Sequence, residues 1–526
     1  MVVVSQPLST TPSWRALIEL RKAGLIRLQE LFASDPDRAV RRAVQVGDLW
    51  IDLSRQHIDN DVLDALVHFA DERDVIGFLN RTIAGEVVNN TEGLSAGHHT
   101  LRLSREESPT DVIATRDRMS DLASRIRAGD EMGATGAPIR AVVNLGIGGS
   151  HLGPSLVADA LNHLGQPEVT VRFSSGLDTV ELSQALDGLA PATTLIVACS
   201  KSFTTVETMT ALDNATSWLT DGIGNKAIKH VIAVTAAADR ARALGIAENR
   251  IFELPESVGG RFSVSSATGL SAMVAIGADS FTELLAGMRT VDLQAVTSPV
   301  PENAAVLMAL IDFWNRSVLG RASIAVVPYA HGLRLLPAHL QQVSMESLGK
   351  RATSNGSLTD VPTGAVVWGG SGTDAQHAFF QLLHQGTDVI PVDFIGVARP
   401  SVNNRSAYRS TDLLMANLAA QADALAFGRR TEKETNNGVE KELLAYRVFP
   451  GDRPSTVTLM PELTPSTLGQ LIALYENRTV ANASLLGINP FDQWGVELGK
   501  QMAADVASGS APESELLRRF RALRGS

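Results

Sequence analysis

Cysteine is almost absent from this chain of 526 residues: Cys199 is its only thiol. No internal disulfide can form and no paired-cysteine metal motif exists. Aromatic residues are scarce at 5%, so the cores must be built mainly from Leu, Val, Ile and Ala. No apolar run approaches the roughly 18–20 residues needed to span a bilayer. The opening MVVVSQPLSTTPSW has no basic stretch and too short an apolar one for a secretory signal. Positive charge is in deficit, with 46 Lys and Arg against 57 Asp and Glu, a formal net charge of −11. That balance argues against a general nucleic-acid or anionic-membrane binder. It leaves room for a small anionic substrate, because a few local donors can hold a phosphate against an acidic whole. The remainder, 44% hydrophobic and 20% charged, is ordinary globular composition. A cytoplasmic chain with two large lobes is expected, since this length exceeds what one core usually serves.

Residues from about 12 to 105 carry Leu, Ala, Arg and Asp at helical spacing. A stripe through Leu17, Leu20, Leu25 and Leu28, with Ile18 beside it, predicts an amphipathic helix rather than strands. The pattern then changes to short β-branched runs separated by helix-like stretches. These are RAVVNLGI from Arg140, VTVRF from Val169, TTLIVACS from Thr193, KHVIAVTA from Lys229 and RIFEL from Arg250. Apolar continuity without strict alternation suits strands covered on both faces, as in a parallel α/β sheet. A mainly helical stretch follows around Phe262 to Leu319. A second series comprises ASIAVVPYA from Ala322, GAVVWGG from Gly364, TDVIPVDFI from Thr387 and STVTLM from Ser455. The polar RRTEKETNNGVEK, Arg429 to Lys441, is read as an exposed loop or helix tip, and the chain from Ala503 onward as solvated helix.

Two strand-end loops carry the first chemical signals. NLGIGGSHLGP, Asn144 to Pro154, follows a predicted strand and opens a predicted helix. Glycines let the backbone approach a ligand there, and helix N–H groups offer an anion site. A tight strand–helix turn would use the same residues. A dinucleotide fingerprint fails, because the third glycine position is His151 and no acidic residue ends the next strand. CSKSFTTVET, Cys199 to Thr208, offers Ser200, Lys201, Ser202, Thr204 and Thr205. Hydroxyls and an ammonium at a helix start make a phosphate clamp, although a plain Ser/Thr N-cap cluster uses the same types. Two such loops in adjacent α/β units favour a binding site, since open sheets bind ligands at their carboxyl ends. No Walker A loop competes: GVELGKQ from Gly495 has the wrong spacing. Metal signals are weak, for His377 and His384 are seven apart and no HExxH occurs. In VGGRFSVSSATGL, paired glycines can press Arg261 against a substrate, or the arginine can simply bridge lobes. Taken singly, Glu346, His377 and Lys500 read as surface residues.

Together these blocks resemble the glucose-6-phosphate isomerase family, in family order from the NTEG loop at Asn90 to GVELGK at Lys500. FPGDRP at Phe449 and LTPSTLGQLIALYE at Leu463 add to the likeness. The resemblance implies an α/β fold of two SIS-type three-layer α/β/α sandwiches with mainly parallel sheets. A helical segment over 1–105, a first sandwich over 106–285, and a second with a helical tail over 286–526 are expected. It implies a homodimer with active sites shared at the subunit interface, a phosphosugar substrate and no cofactor. The phosphate contacts would be Gly149, Ser150, Ser200, Lys201, Ser202 and Thr205, with Gln342 and Gln493 nearby. Glu346 would be the isomerisation base, Arg261 would sit over the reacting carbons, and Lys500 with His377 of the neighbouring subunit would serve ring opening.

These residue types suit the implied reaction. Moving a proton between adjacent carbons needs a carboxylate beside both, and a fixed arginine stabilises the enediolate oxygen without metal. Departures from the family pattern are Leu94, His151, Ser265, Leu348, Gly370 and Ser371, all beside the residues given direct roles. A non-catalytic phosphosugar sensor would have no use for the base, the arginine and the ring-opening pair. A broader hexose-phosphate isomerase, one accepting mannose 6-phosphate for example, stays open.

Overall fold

The computed structural model describes residues 7–429, 440–510 and 512–525. Five strands form the first sheet: β3 (Ala141–Leu145), β4 (Thr170–Ser174), β5 (Thr194–Cys199), β6 (Val231–Thr235) and β7 (Ile251–Glu253). β3, β5 and β6 are buried at every position, as their unbroken apolar runs require of strands covered on both faces. All pair in parallel in the order β4-β3-β5-β6-β7. The chain therefore steps one way from β3 to β4 and the other way to β5. The crevice where strand order reverses opens at the carboxyl ends of β3 and β5, the two strands that feed the glycine-rich and hydroxyl-rich loops.

The second sheet contains β8 (Ser323–Pro328), β9 (Val366–Gly369), β10 (Val392–Val397) and β11 (Ser455–Met460). With β1 (Ala43–Val46) and β2 (Leu49–Asp52) at one edge, its order is β1-β2-β11-β10-β8-β9, parallel from β11 to β9. The α/β class with mainly parallel sheets is thus as expected. The amino-terminal reading needs correction. Residues 43–52 form a hairpin, β1 (Ala43–Val46) and β2 (Leu49–Asp52), whose second strand pairs antiparallel with β11. The opening segment is therefore not wholly helical. The leucine stripe is also divided: the first helix stops at Ala23, Leu25 is exposed beyond it, and Leu28 begins the next helix. The polar stretch from Arg429 to Lys441 lies largely outside the described residues.

Helix Pro465–Leu486 is buried almost throughout its length, which marks a core helix rather than an amphipathic one. It crosses Ala278–Thr297 at backbone contact, since a Cβ on Gly469 would meet the Leu284 carbonyl and one on Gly287 the Ser466 carbonyl. Three consecutive residues of the buried helix tie it to its surroundings. Glu476 and Asp292 both bind Arg102, whose side chain is 0% exposed. Asn477 donates to Asp292 at 2.7 Å, and Arg478 spans Asp312 and Asp393 at 2.6 and 2.5 Å. Burial works against the Asp292 charge, yet Arg102 and His99 hold that carboxyl below its ordinary value. Breaking such a buried group by removing one partner is costly because the other charges stay behind. Arg102→Met is expected to lose about 3–5 kcal/mol of unfolding free energy, read as a fall in denaturant midpoint at constant m.

Candidate active site

The two strand-end loops meet across the switch point. After β5, the Ser200 hydroxyl accepts from Phe203 N at 3.1 Å and bonds Thr205 Oγ1 at 2.9 Å. Phe203 is buried at a φ of 51°, a conformation that bulky residues seldom adopt. This buried kink leaves Lys201, Ser202 and Thr204 exposed around it. Ser202 and Thr204 share a hydroxyl hydrogen bond of 2.8 Å, and the Lys201 ammonium donates to the Glu256 carbonyl at 2.6 Å. Burial lowers that ammonium from its ordinary pKa. A phosphate would find donors here that are at present bonded to one another or to main chain.

The loop after β3 brings the first lobe to the arginine. A Cβ on Gly149 would lie 1.9 Å from the Gly260 carbonyl. Only a glycine at 149 allows this approach, which sets Ser150 beside the turn leading to Arg261. The Arg261 side chain is 0% exposed. Its Nε donates to Ser347 Oγ at 2.7 Å, Nη1 to Gln493 Oε1 at 2.8 Å, and Nη2 to the carbonyls of Pro490 and, at 2.9 Å, Asp492. Nη1 also reaches Glu346 Oε2 at 3.3 Å. Desolvation lowers the guanidinium pKa, while the charges of Glu346 and Asp492 oppose the shift.

Glu346 ends a π-helical turn, Gln341–Glu346, a winding found often at functional sites. Gln342 on the same turn donates to Glu346 Oε2 at 3.3 Å. Its own Oε1 is buried and has no hydrogen-bond partner among the described residues, which makes it an acceptor able to take a hydroxyl. Glu346 keeps 31% of its side chain exposed. A carboxylate open on one side and held by a buried arginine on the other can take a proton from a ligand and return it.

Glu346, Arg261, Gln342 and Gln493 thus form one hydrogen-bonded cluster, with Gly149 and Ser150 at its edge. His377 and Lys500 are not members of it. His377 is exposed at the end of helix Gly372–Gln376. Lys500, 64% exposed on helix Glu497–Ser508, pairs with Glu497 at 2.9 Å. Among the described residues neither hydrogen-bonds the cluster within a single chain. Sequence reasoning passed over Ser347, Lys350, Asn489 and Asp492, although all lie within four residues of Glu346 or Gln493. Their signal was chemical type without address, because several of their ties run to main-chain carbonyls. Leu348, one of the departures, is a core residue at 3% exposed.

Residues 52–520 match the model of the family described as "Phosphoglucose isomerase". A protein of Rhodococcus opacus named glucose-6-phosphate isomerase is 42% identical over 99% of this chain and all of its own length. One from Streptomyces avermitilis named glucose-6-phosphate isomerase 1 is 44% identical over 95% of this chain and 94% of its own. The crystal structure of a glucose-6-phosphate isomerase from Chlamydia trachomatis superposes with a TM-score of 0.86 at 30% identity, covering 98% of this chain and all of that one.

Proposed function

The chain belongs to the phosphoglucose isomerase family, and from that premise we propose how its residues interconvert D-glucose 6-phosphate and D-fructose 6-phosphate. The observation that carries the assignment is the Glu346–Arg261 contact of 3.3 Å at the mouth of the two strand-end loops. Ser150, Ser200, Lys201, Ser202 and Thr205 hold the phosphate, remote from the reacting carbons, and its binding energy orients the sugar. Glu346 takes the proton from C2 of the open-chain aldose and returns it to C1. Arg261 stabilises the charge that develops on the enediolate oxygen, and Gln342 and Gln493 accept or donate to neighbouring hydroxyls. The enzyme uses no cofactor.

Ring opening is assigned to Lys500 and to His377 of the partner subunit. This sharing is supported by the exposure of both residues, neither of which hydrogen-bonds the Glu346 cluster among the described residues, and by the unburied helices near the carboxyl terminus. Trp494, Leu498, Met502 and Phe520 are 60%, 68%, 59% and 54% exposed there, an apolar surface suited to a second copy. Among the described residues no helix is long and apolar enough to cross a membrane, and we propose a cytoplasmic homodimer acting on a small phosphosugar.

A coupled assay with each hexose phosphate tests the activity directly. Shared sites are tested by mixing: Glu346→Gln and His377→Ala chains, each inactive alone, should regain activity when subunits exchange. Verified heterodimers with no recovery would remove His377 from the partner's site.

A further inference from the structure

Arg261 can serve the reaction only if its fork is held toward Glu346, and a second carboxylate competes for it. Asp492 lies close enough for its charge, like that of Glu346, to act on the guanidinium. Left unbalanced, Asp492 would draw Arg261 away from the site. What balances it is Lys350, four residues beyond Glu346 in the same segment. The Lys350 ammonium donates both to the Asp492 carboxylate and to its main-chain carbonyl, with the two side chains 15% and 6% exposed. The same Asp492 carbonyl accepts from Arg261 Nη2 at 2.9 Å. One carbonyl oxygen is therefore shared by the lysine and the arginine.

The turn that carries this carbonyl is held from other sides too. Asp492 Oδ2 accepts from Thr91 Oγ1 at 2.7 Å and from Asn489 Nδ2 at 3.0 Å. Asn489 Oδ1 accepts from Phe491 N at 2.9 Å, and Asn489 Nδ2 also donates to Asn89 Oδ1 at 2.9 Å. The next residue, Gln493, accepts from Arg261 Nη1 at 2.8 Å. Three separated segments, around 91, 350 and 490, thus converge on the cradle of one guanidinium.

We propose that Lys350 and Asp492 are a positioning pair for the isomerisation: Lys350 neutralises Asp492 and fixes its carbonyl, so that the Arg261 fork stays directed at Glu346 and the enediolate. Neither residue is required to touch substrate. The inference rests on the isomerase reading above, and the two fail differently. A wild-type enzyme inactive on both hexose phosphates would sink that reading, whereas an active wild type with indifferent variants sinks this one.

The test measures kcat and KM for fructose 6-phosphate in Lys350→Met, Lys350→Arg and Asp492→Asn, each made in the wild-type and the Arg261→Lys backgrounds. Misplacement of a catalytic group by about 1 Å can cost about 10²-fold, so Lys350→Met is expected to lower kcat by about that factor with KM little changed. Lys350→Arg should recover most of the loss, because it keeps a charge and two donors for the Asp492 oxygens. In the Arg261→Lys background the Lys350→Met loss should nearly vanish, since residues acting through one another are not additive. A merely structural lysine would give the same fold loss in both backgrounds. That result, a near-normal kcat in Lys350→Met, or a loss confined to KM would each overturn the proposal. Asp492→Asn removes the competing charge while keeping the carbonyl, so it should be milder than Lys350→Met. A larger kcat loss in Asp492→Asn than in Lys350→Met contradicts the balance described, and if Lys350→Met does not fold, a kcat loss in Asp492→Asn or Lys350→Arg that is equally large in the wild-type and Arg261→Lys backgrounds overturns the proposal.

Discussion

Glu346→Gln is expected to lower kcat by about 10²–10⁴-fold, the usual worth of a general base, while affinity for a phosphosugar-acid inhibitor stays near that of the wild type. Glutamine keeps the length and shape of the side chain, and its amide can still bond Gln342 and occupy the space beside Arg261. What it cannot do at neutral pH is take a proton from carbon. Phosphate binding should persist, because the donors around Ser150 and Lys201 belong to the loops after β3 and β5 and make no bond to Glu346. The buried guanidinium loses its one direct carboxylate contact but keeps Ser347 Oγ, Gln493 Oε1 and two carbonyls, so the fold should survive. A second readout follows from the chemistry. If Glu346 shuttles the proton between C2 and C1, some of it exchanges with water during turnover. Deuterium from solvent should then enter the product in the wild type and not in the variant within the same time. A variant that isomerises at near-normal rates, or that exchanges deuterium as fast as wild type, would remove Glu346 from the role of base.

The parts of this arrangement that a reader of the sequence can find are those written locally. The strands β3 to β11 announce themselves as β-branched runs, of which β3, β5, β6 and β10 are buried at every position, and the loops after β3 and β5 as clusters of Gly, Ser, Thr and Lys at strand ends. The hairpin at 43–52 had a local signal as well, two short apolar runs separated by Gly47 and Asp48. Four-residue strands inside an otherwise helical stretch are outvoted by their surroundings when periodicity is taken over a longer window. The exposed Leu25 fails for a related reason, since a helix ended by Gly24 breaks a spacing that the leucines alone would continue. The site is harder. Glu346, Arg261 and Gln493 are far apart in the chain, and nothing in their spacing brings them together. Their grouping was available through the family resemblance only. Asp492 and Lys350 act largely through a main-chain carbonyl, which has no residue-type signature at all. His377 and Lys500 are beyond a single chain's structure too, because their proposed meeting needs a second subunit.

Arg261→Lys is expected to be nearly as damaging as loss of the base, which sets it apart from an ordinary exchange of one cation for another. Removing a preorganised donor at a developing oxyanion costs about 10²–10³-fold in kcat, or about 2.7–4 kcal/mol. The guanidinium makes five contacts from one plane: Ser347, Gln493, Glu346 and the carbonyls of Pro490 and Asp492. A lysine ammonium has three donors at one point on a flexible stem and cannot span those positions. It would satisfy the two carbonyls, which are fixed, and leave the carboxylate and the substrate oxygen unserved. Because charge is kept and the Arg261 side chain is fully buried, the substitution separates two explanations. If the positive charge alone matters, Arg261→Lys should retain most activity and Arg261→Met should lose it. If directed donors matter, both should fall by a similar factor in kcat, with inhibitor affinity less affected than turnover. The second outcome is the one the geometry requires. A lysine variant within a few-fold of wild type would mean that the close Gly149–Gly260 approach and the carbonyl cradle serve stability rather than catalysis.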